Sequence, residues 1–261
     1  MNLNRNTKEK ASQRSRLPDS LQAWFFPLTV LLLWQVAGSL LLPTPWEIGR
    51  QFIILVANGT LFSHLEASVI RAAAGFVLGS SIALIIGLAA GLSKLLEELL
   101  DPSLQMMRTV PLLSLIPLFI LWFGVGQLSQ VLLIALGSFF PLYVNTFAGV
   151  RGVDRKLYEV AQILEYSKMQ RIFQLIIPAA LPNILLGFRL SLGIAWLCLV
   201  VAELMGASSG VGYMIGEARQ YSQTAAVFVG IGVFAAVGKL SDSLVRMLES
   251  RLLRWRDAYK G

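Results

Sequence analysis

What most restricts this chain is the length of its apolar runs. Six stretches, at about 23–42, 68–92, 99–124, 129–150, 179–204 and 224–248, stay predominantly apolar for about 20 residues or more. About 20 residues of helix cross a hydrocarbon layer roughly 30 Å thick. Backbone amides and carbonyls inside lipid find no water, so each segment must satisfy them internally, which selects helices over isolated strands. Period-two alternation, the mark of a membrane barrel, is absent from the runs. With 56% hydrophobic and only 14% charged residues, the expected fold is an all-α membrane protein of six transmembrane helices.

The cations then set the orientation. Arg5, Lys8, Lys10, Arg14 and Arg16 precede the first run, while Arg151, Arg155, Lys156, Lys168 and Arg171 fill the long central loop. Arg246, Arg251, Arg254, Arg256 and Lys260 close the chain, and the alternate connections hold only Arg50 and Arg219. Short cytoplasmic loops retain lysine and arginine, so both termini and the central loop are expected in the cytoplasm. Residues 1–22 read as a flexible cytoplasmic tail, 23–250 as the transmembrane domain and 251–261 as a second cytoplasmic tail. The first apolar run is too long for a cleaved signal peptide and has no evident small-residue cleavage site. The net charge of +7 follows from this topology. Its division among juxtamembrane clusters with no reading motif argues against a nucleic-acid partner.

The central loop carries two amphipathic patterns. Asp154 is placed to cap a helix in which Leu157, Val160, Ala161 and Leu164 form one stripe, backed by Arg155, Lys156, Glu159 and Gln162. Ser167 is placed to cap a second, with Met169, Ile172, Phe173 and Ile176 in the same spacing. Such spacing requires a buried face without naming what buries it, so the protein's own bundle and a separate partner both remain open. Chemistry is absent from the pattern. There is no Gly-x4-Gly-Lys-Ser/Thr phosphate loop, and the glycines and lysine between Gly87 and Lys94 have the wrong spacing. No catalytic residue is expected. The single cysteine, Cys198, and the single histidine, His64, point to no disulfide or metal site.

A charge at the bilayer centre costs at least about 2.5 kcal/mol on insertion scales, so the ionisable residues in or near the runs are informative: Arg71, Arg108, Arg189, Glu203, Lys239 and Asp242. Lys239 and Asp242 share a helix face and are expected to pair. Arg71, near the outer end of its run, is expected to snorkel. Arg108 precedes Pro111, which must break its helix, and a cation beside such a break suits either an anion pathway or a structural pairing with Glu203. Glu203 leads into the small-residue turn from Ser208 to Gly212. Gly75/Gly79 and Gly87/Gly91 are pairs that permit close helix packing.

Glu159-Val160-Ala161, then Glu165, then Leu175-Ile176-Ile177-Pro178, resembles the "EAA loop" of permease subunits from ATP-binding-cassette (ABC) importers. Arg108-Thr109-Val110-Pro111, Leu115-Ile116-Pro117-Leu118, Leu121-Trp122-Phe123-Gly124, Val201-Ala202-Glu203, Ser209-Gly210-Val211-Gly212-Tyr213, Gly238-Lys239-Leu240, Asp242 and Leu253-Arg254-Trp255 are similar to the aliphatic-sulfonate permeases. Those belong to a wider group that also carries taurine, nitrate and bicarbonate. The resemblance implies a type I importer bundle in a bacterial inner membrane. A second copy of the chain, two cytoplasmic ABC ATPases that bind ATP and magnesium, and an extracytoplasmic substrate-binding protein are the implied partners. It assigns ATPase coupling to Asp154, Leu157, Tyr158, Glu159, Val160, Ala161, Leu164 and Glu165, and the outer gate to Glu203, Ser208 and Ser209, while Arg108 and Pro111 keep the pathway reading drawn from the helix break. The family has glycine where this chain has Glu165, so the chain is expected to turn another way there. An ion-coupled carrier would show internally repeated halves with broken helices. A scaffold would recruit a partner through the same loop but gives no reason for the broken span at Arg108.

Overall fold

The computed structural model describes residues 28–36, 38 and 42–254. The expected tail at 1–22, parts of the first span and residues 255–261 lie outside the described residues. Residues 28–36 are helical. They are followed by α1 (Pro45–Ala57), α2 (Thr60–Leu92), α3 (Lys94–Arg108), a 3-10 turn (Leu112–Leu115), α4 (Ile116–Phe123), α5 (Gln127–Arg151) and α6 (Arg155–Ile163). The order closes with α7 (Lys168–Gly206), which contains a π-helical turn at Arg171–Ile176, then α8 (Val211–Gln220) and α9 (Thr224–Leu252). Among the described residues α2, α5, α7 and α9 are each long and apolar enough to cross a membrane.

Local chemistry explains most boundaries. Thr44 and Glu47 form a capping box in front of α1, with Pro45 in its first turn, where no amide donor is needed. Ser93 caps α3, and Ser167 with Gln170 forms a second box at the start of α7. The expected span at 99–124 is not one straight rod. It divides into α3 and the segment Leu112–Phe123, which meet at 87°. Pro111 has no amide hydrogen and disfavours helical geometry in Val110, so α3 stops at Arg108 and the chain re-enters helix only beyond the proline. The span expected to begin at residue 68 begins at Thr60. Neither α1 nor α8 follows from the apolar runs, because both lie in the connections between them.

Lipid is as apolar as leucine, so helices in it are held by close packing more than by expulsion of water. Glycine supplies that closeness between α2 and α5. A methyl group on Gly75 would come within 2.6 Å of Ile134 Cβ, one on Gly87 within 2.9 Å of Thr146 Cβ, and one on Gly91 within 2.7 Å of Val150 Cβ. A methyl on Gly79 would run into the Ala135 carbonyl. The two positions advance together, so α2 and α5 run parallel. Against α5, α7 runs antiparallel: Gly137 faces Cys198 and Ile194, and Gly149 faces Asn183 and Ala180. Cys198 is fully buried here. The main core lies among these three helices and includes Ala83, Phe139, Phe140, Leu142, Tyr143, Ile176 and Ile184. Polar ties fasten α3 to α5, Tyr143 Oη donating to Asp101 at 2.8 Å and Arg151 pairing with Glu97. At the opposite end Val211, Met214, Ile215 and Ala218 of α8 pack with Leu55, Leu61, Ala226 and Val229.

This topology gathers the C-terminal ends of α2, α5 and α9 at one end of the bundle, together with α6 and the start of α7. The turn before α8 and the α8–α9 connection lie at the other.

Candidate functional site

The loop between α5 and α7 folds as a compact corner. Asp154 accepts from the Lys156 amide at 3.0 Å and starts α6. At its other end the Tyr166 amide donates to the Ala161 carbonyl at 2.9 Å and the Glu165 amide to Gln162 at 3.1 Å. Glu165 itself is left-handed, with φ of 51°. It therefore makes the turn a glycine would make, correcting the expectation of a different turn, and carries a left-handed cost of roughly 1–2 kcal/mol. Only one member of the α6 stripe is covered by the chain. Ala161 is 0% exposed, whereas Leu157, Val160 and Leu164 are 39%, 49% and 57% exposed. Tyr158, Glu159 and Ile163 are exposed as well. The second stripe is split: Ile172 and Ile176 enter the main core while Met169 and Phe173 stay outside.

At the far end of the bundle a buried polar cluster joins α2 to the turn before α8. Arg71 and Glu203 form an ion pair with side chains 4% and 0% exposed. Glu203 also accepts from Ser68 Oγ at 2.8 and 2.9 Å and from the Gly212 amide at 2.8 Å. Arg71 donates on to the carbonyl and hydroxyl of Ser209, both at 3.3 Å, while Ser68 accepts from the Val211 amide at 2.8 Å. His64 Nδ1 accepts from the Gly210 amide at 3.1 Å. Gly210, with φ of 115°, lies so close against Glu203 that no side chain fits. Ser208 is exposed beside this cluster.

Two pairings differ from expectation. Arg71 is buried and paired where snorkelling was expected, and Glu203 is bound to it and not to Arg108. Asp242 bonds Arg189 at 2.6 Å and Arg246 at 2.8 Å, and the exposed Lys239 has no ion-pair partner among the described residues. The α2 residues of the cluster have a signature in the sequence: His64, Ser68 and Arg71 repeat at i, i+4 and i+7, a polar stripe along one face of a largely apolar helix.

Arg108 ends α3 at the break before Pro111 and lines a cavity of about 300 Å³ with residues of α5 and α7. Among the described residues it has no ion-pair or hydrogen-bond partner. The expected pathway residues thus fall in separate places, Arg108 and Pro111 at the break and Glu203 and Ser209 in the buried cluster.

Residues 75–254 match the family described as binding-protein-dependent transport system inner membrane component. The chain is 59% identical over 247 residues to a Bacillus subtilis (strain 168) permease named for aliphatic sulfonates transport, SsuC, covering 92% of this chain and 90% of that one. The Escherichia coli (strain K12) protein of the same name is 45% identical, covering 90% and 92%. The taurine transport system permease TauC of Escherichia coli (strain K12) is 35% identical, covering 90% and 86%. Among solved structures, a chain of the inward-facing MetNI methionine ABC transporter superposes with a TM-score of 0.58 at 14% identity, covering 75% of this chain and 95% of that one. A chain of an amino acid ABC transporter superposes with a TM-score of 0.58 at 20% identity, covering 77% and 96%. These likenesses establish the fold.

Proposed function

The chain belongs to the inner-membrane-component family of binding-protein-dependent transport systems, as an ABC importer permease subunit, and we propose that its cargo is an aliphatic sulfonate. The higher identity to two sulfonate permeases than to the taurine permease supports that substrate over taurine, and none of the relatives named above speaks for nitrate or bicarbonate. In this reading two copies of the chain form the pore in a bacterial inner membrane, both termini facing the cytoplasm. Residues 1–22 and 251–261 are the cytoplasmic tails, and 23–250 is the membrane domain. Two cytoplasmic ATPase subunits bind ATP and magnesium, and an extracytoplasmic binding protein delivers the anion.

One observation carries the coupling assignment. α6 leaves Leu157, Val160 and Leu164 uncovered at the cation-rich end. An apolar stripe that its own bundle ignores is suited to a groove on a soluble partner. Asp154, Tyr158, Glu159 and Glu165 frame that stripe, and Ala161 anchors it to the chain. ATP closes the ATPase pair, α6 moves with it as a short lever, and α5 and α7 carry the motion toward Glu203, Ser208 and Ser209 at the outer gate. Nucleotide biases two arrangements of the bundle by its differential contacts, so hydrolysis resets the cycle. Arg108 and Pro111 line the anion path.

The test is replacement of Leu157 and Leu164 by Asp, singly and together. Co-purification of the ATPase should fall at least about tenfold in the double variant, since two charges must then be desolvated in the groove. The permease itself should remain in the membrane. Undiminished ATPase recovery would reject the docking role, and uptake that persists without ATPase but follows an ion gradient would favour a secondary carrier.

A further inference from the structure

We infer that His64 is a proton-operated latch on the turn before α8, holding that turn while the imidazole is neutral and releasing it when the outside becomes acidic. The inference rests on the import reading above, from which it takes the outward placement of the turn and its role at the gate. Three consecutive amides lead into α8, and each donates to a different side chain: Gly210 to His64 Nδ1 at 3.1 Å, Val211 to Ser68 Oγ at 2.8 Å and Gly212 to Glu203 at 2.8 Å. Two of these acceptors, Ser68 and Glu203, are buried. His64 is half-buried, near the start of α2 and about 10 Å along the helix from Arg71. It is the acceptor of the set that protons from solvent can reach.

A ring nitrogen accepts a hydrogen bond only while its lone pair is free. The neutral ring therefore carries its proton on Nε2, and a second proton has to enter at Nδ1, where it aims an N–H at the Gly210 N–H. A hydrogen bond is then replaced by a repulsive contact between two donors. Glu217 of α8 is the charge that acts on the ring, and the Tyr213 ring lies 5.9 Å from it. The protonated imidazole thus finds a carboxylate on the same helix whose start it lets go. Arg71 and Glu203 neutralise each other deeper in the cluster, and α1 meets this end of the bundle through Leu55 and Val56, which do not titrate. Glu66, two residues on, belongs to another face of α2. Gly210 has φ of 115°, and a glycine there has no side chain to hold it in place. The turn depends on its side-chain acceptors, so losing one shifts the ratio of released to held turn by about fivefold.

His64 is the chain's single histidine, so imidazole NMR signals from the histidine-labelled, tag-free full-length permease in nanodiscs report its titration directly. In a Cys198→Ala background a spin label on Ser208→Cys reads the mobility of the turn over the same pH range. Uptake of butanesulfonate by vesicles holding the complete complex is followed at varied external and fixed internal pH. As pH falls, the ratio of mobile to held label should rise about fivefold or more with the midpoint of the imidazole signal, and uptake should change with that same midpoint. His64→Asn, whose Oδ1 takes the place of Nδ1 as an acceptor that does not titrate, should hold the turn and remove the step from both profiles. His64→Ala should leave the turn mobile at every pH. Mobility that is flat with pH in the wild type, or that keeps its step in His64→Asn, would overturn the latch. An uptake profile that His64→Asn leaves unchanged would also overturn it, with the import reading still standing. Absence of uptake at every pH, with the mobility step intact, would reject the import reading alone.

Discussion

Glu203 and Arg71 are separated by 132 residues in the chain, yet each is the other's means of being buried. Removing one partner of such a pair leaves an uncompensated charge and typically costs about 3–5 kcal/mol, while removing both together can be close to neutral. Arg71→Met and Glu203→Met should each lower the thermal midpoint of the detergent-solubilised protein, and the double variant should recover part of the loss. Strict additivity of the two single effects would show that the pair is not coupled. The sequence exposed Glu203 as costly but could not name its partner, since only the packing of α2 against the turn before α8 brings Arg71 to it. The depth of Arg71 differs from the sequence expectation for a countable reason. α2 begins at Thr60 and not at residue 68, which places the arginine about 12 Å deeper in its helix at 1.5 Å per residue. At Glu165 the missing glycine suggests a different corner, but hydrogen bonds from the Glu165 and Tyr166 amides back to α6 hold the backbone in the left-handed form.

Spacing alone identified the glycines of α2 as a contact face, and α5 supplies the surface they meet. Gly79→Val should displace the Ala135 backbone and destabilise the helix pair by about 1–3 kcal/mol through overpacking. Gly193→Ala, where a methyl meets nothing within 4 Å, should be neutral or stabilising by up to about 1 kcal/mol. Thermal midpoints of the two variants measured side by side check the contrast; equal effects would remove the seam from the account. The break after Arg108 illustrates a different limit. Pro111 announces where a helix must stop, but the 87° direction of the new segment comes from contacts of Ile116, Phe119 and Ile120 with Leu133 and Ala202. For α6 the periodicity marks a stripe and leaves its covering open, because exposure is a property of the whole fold.

Across the molecule, the distribution of cations predicts a sidedness that labelling can read. In a Cys198→Ala background, Lys168→Cys should react with an impermeant maleimide only after the membrane is opened, while Tyr221→Cys, in the α8–α9 connection, should react in intact spheroplasts. The reverse pattern would invert the topology and with it the coupling role of α6. Five of the six expected spans have counterparts among the described residues, one of them bent. The order of helices was legible because insertion into lipid demands long apolar runs. The lateral packing was not, since apolar residues face lipid and neighbouring helices alike. The wide turn at Arg171–Ile176 joins the corner to the longest helix without interrupting it. Its winding holds one more residue than an ordinary α turn. Deleting one of the six would let the helix close into regular α geometry with the residues on either side kept in nearly the same phase around the axis. The wide turn thus takes up a residue that a regular α helix could accommodate only by turning α6 about 100° around the axis.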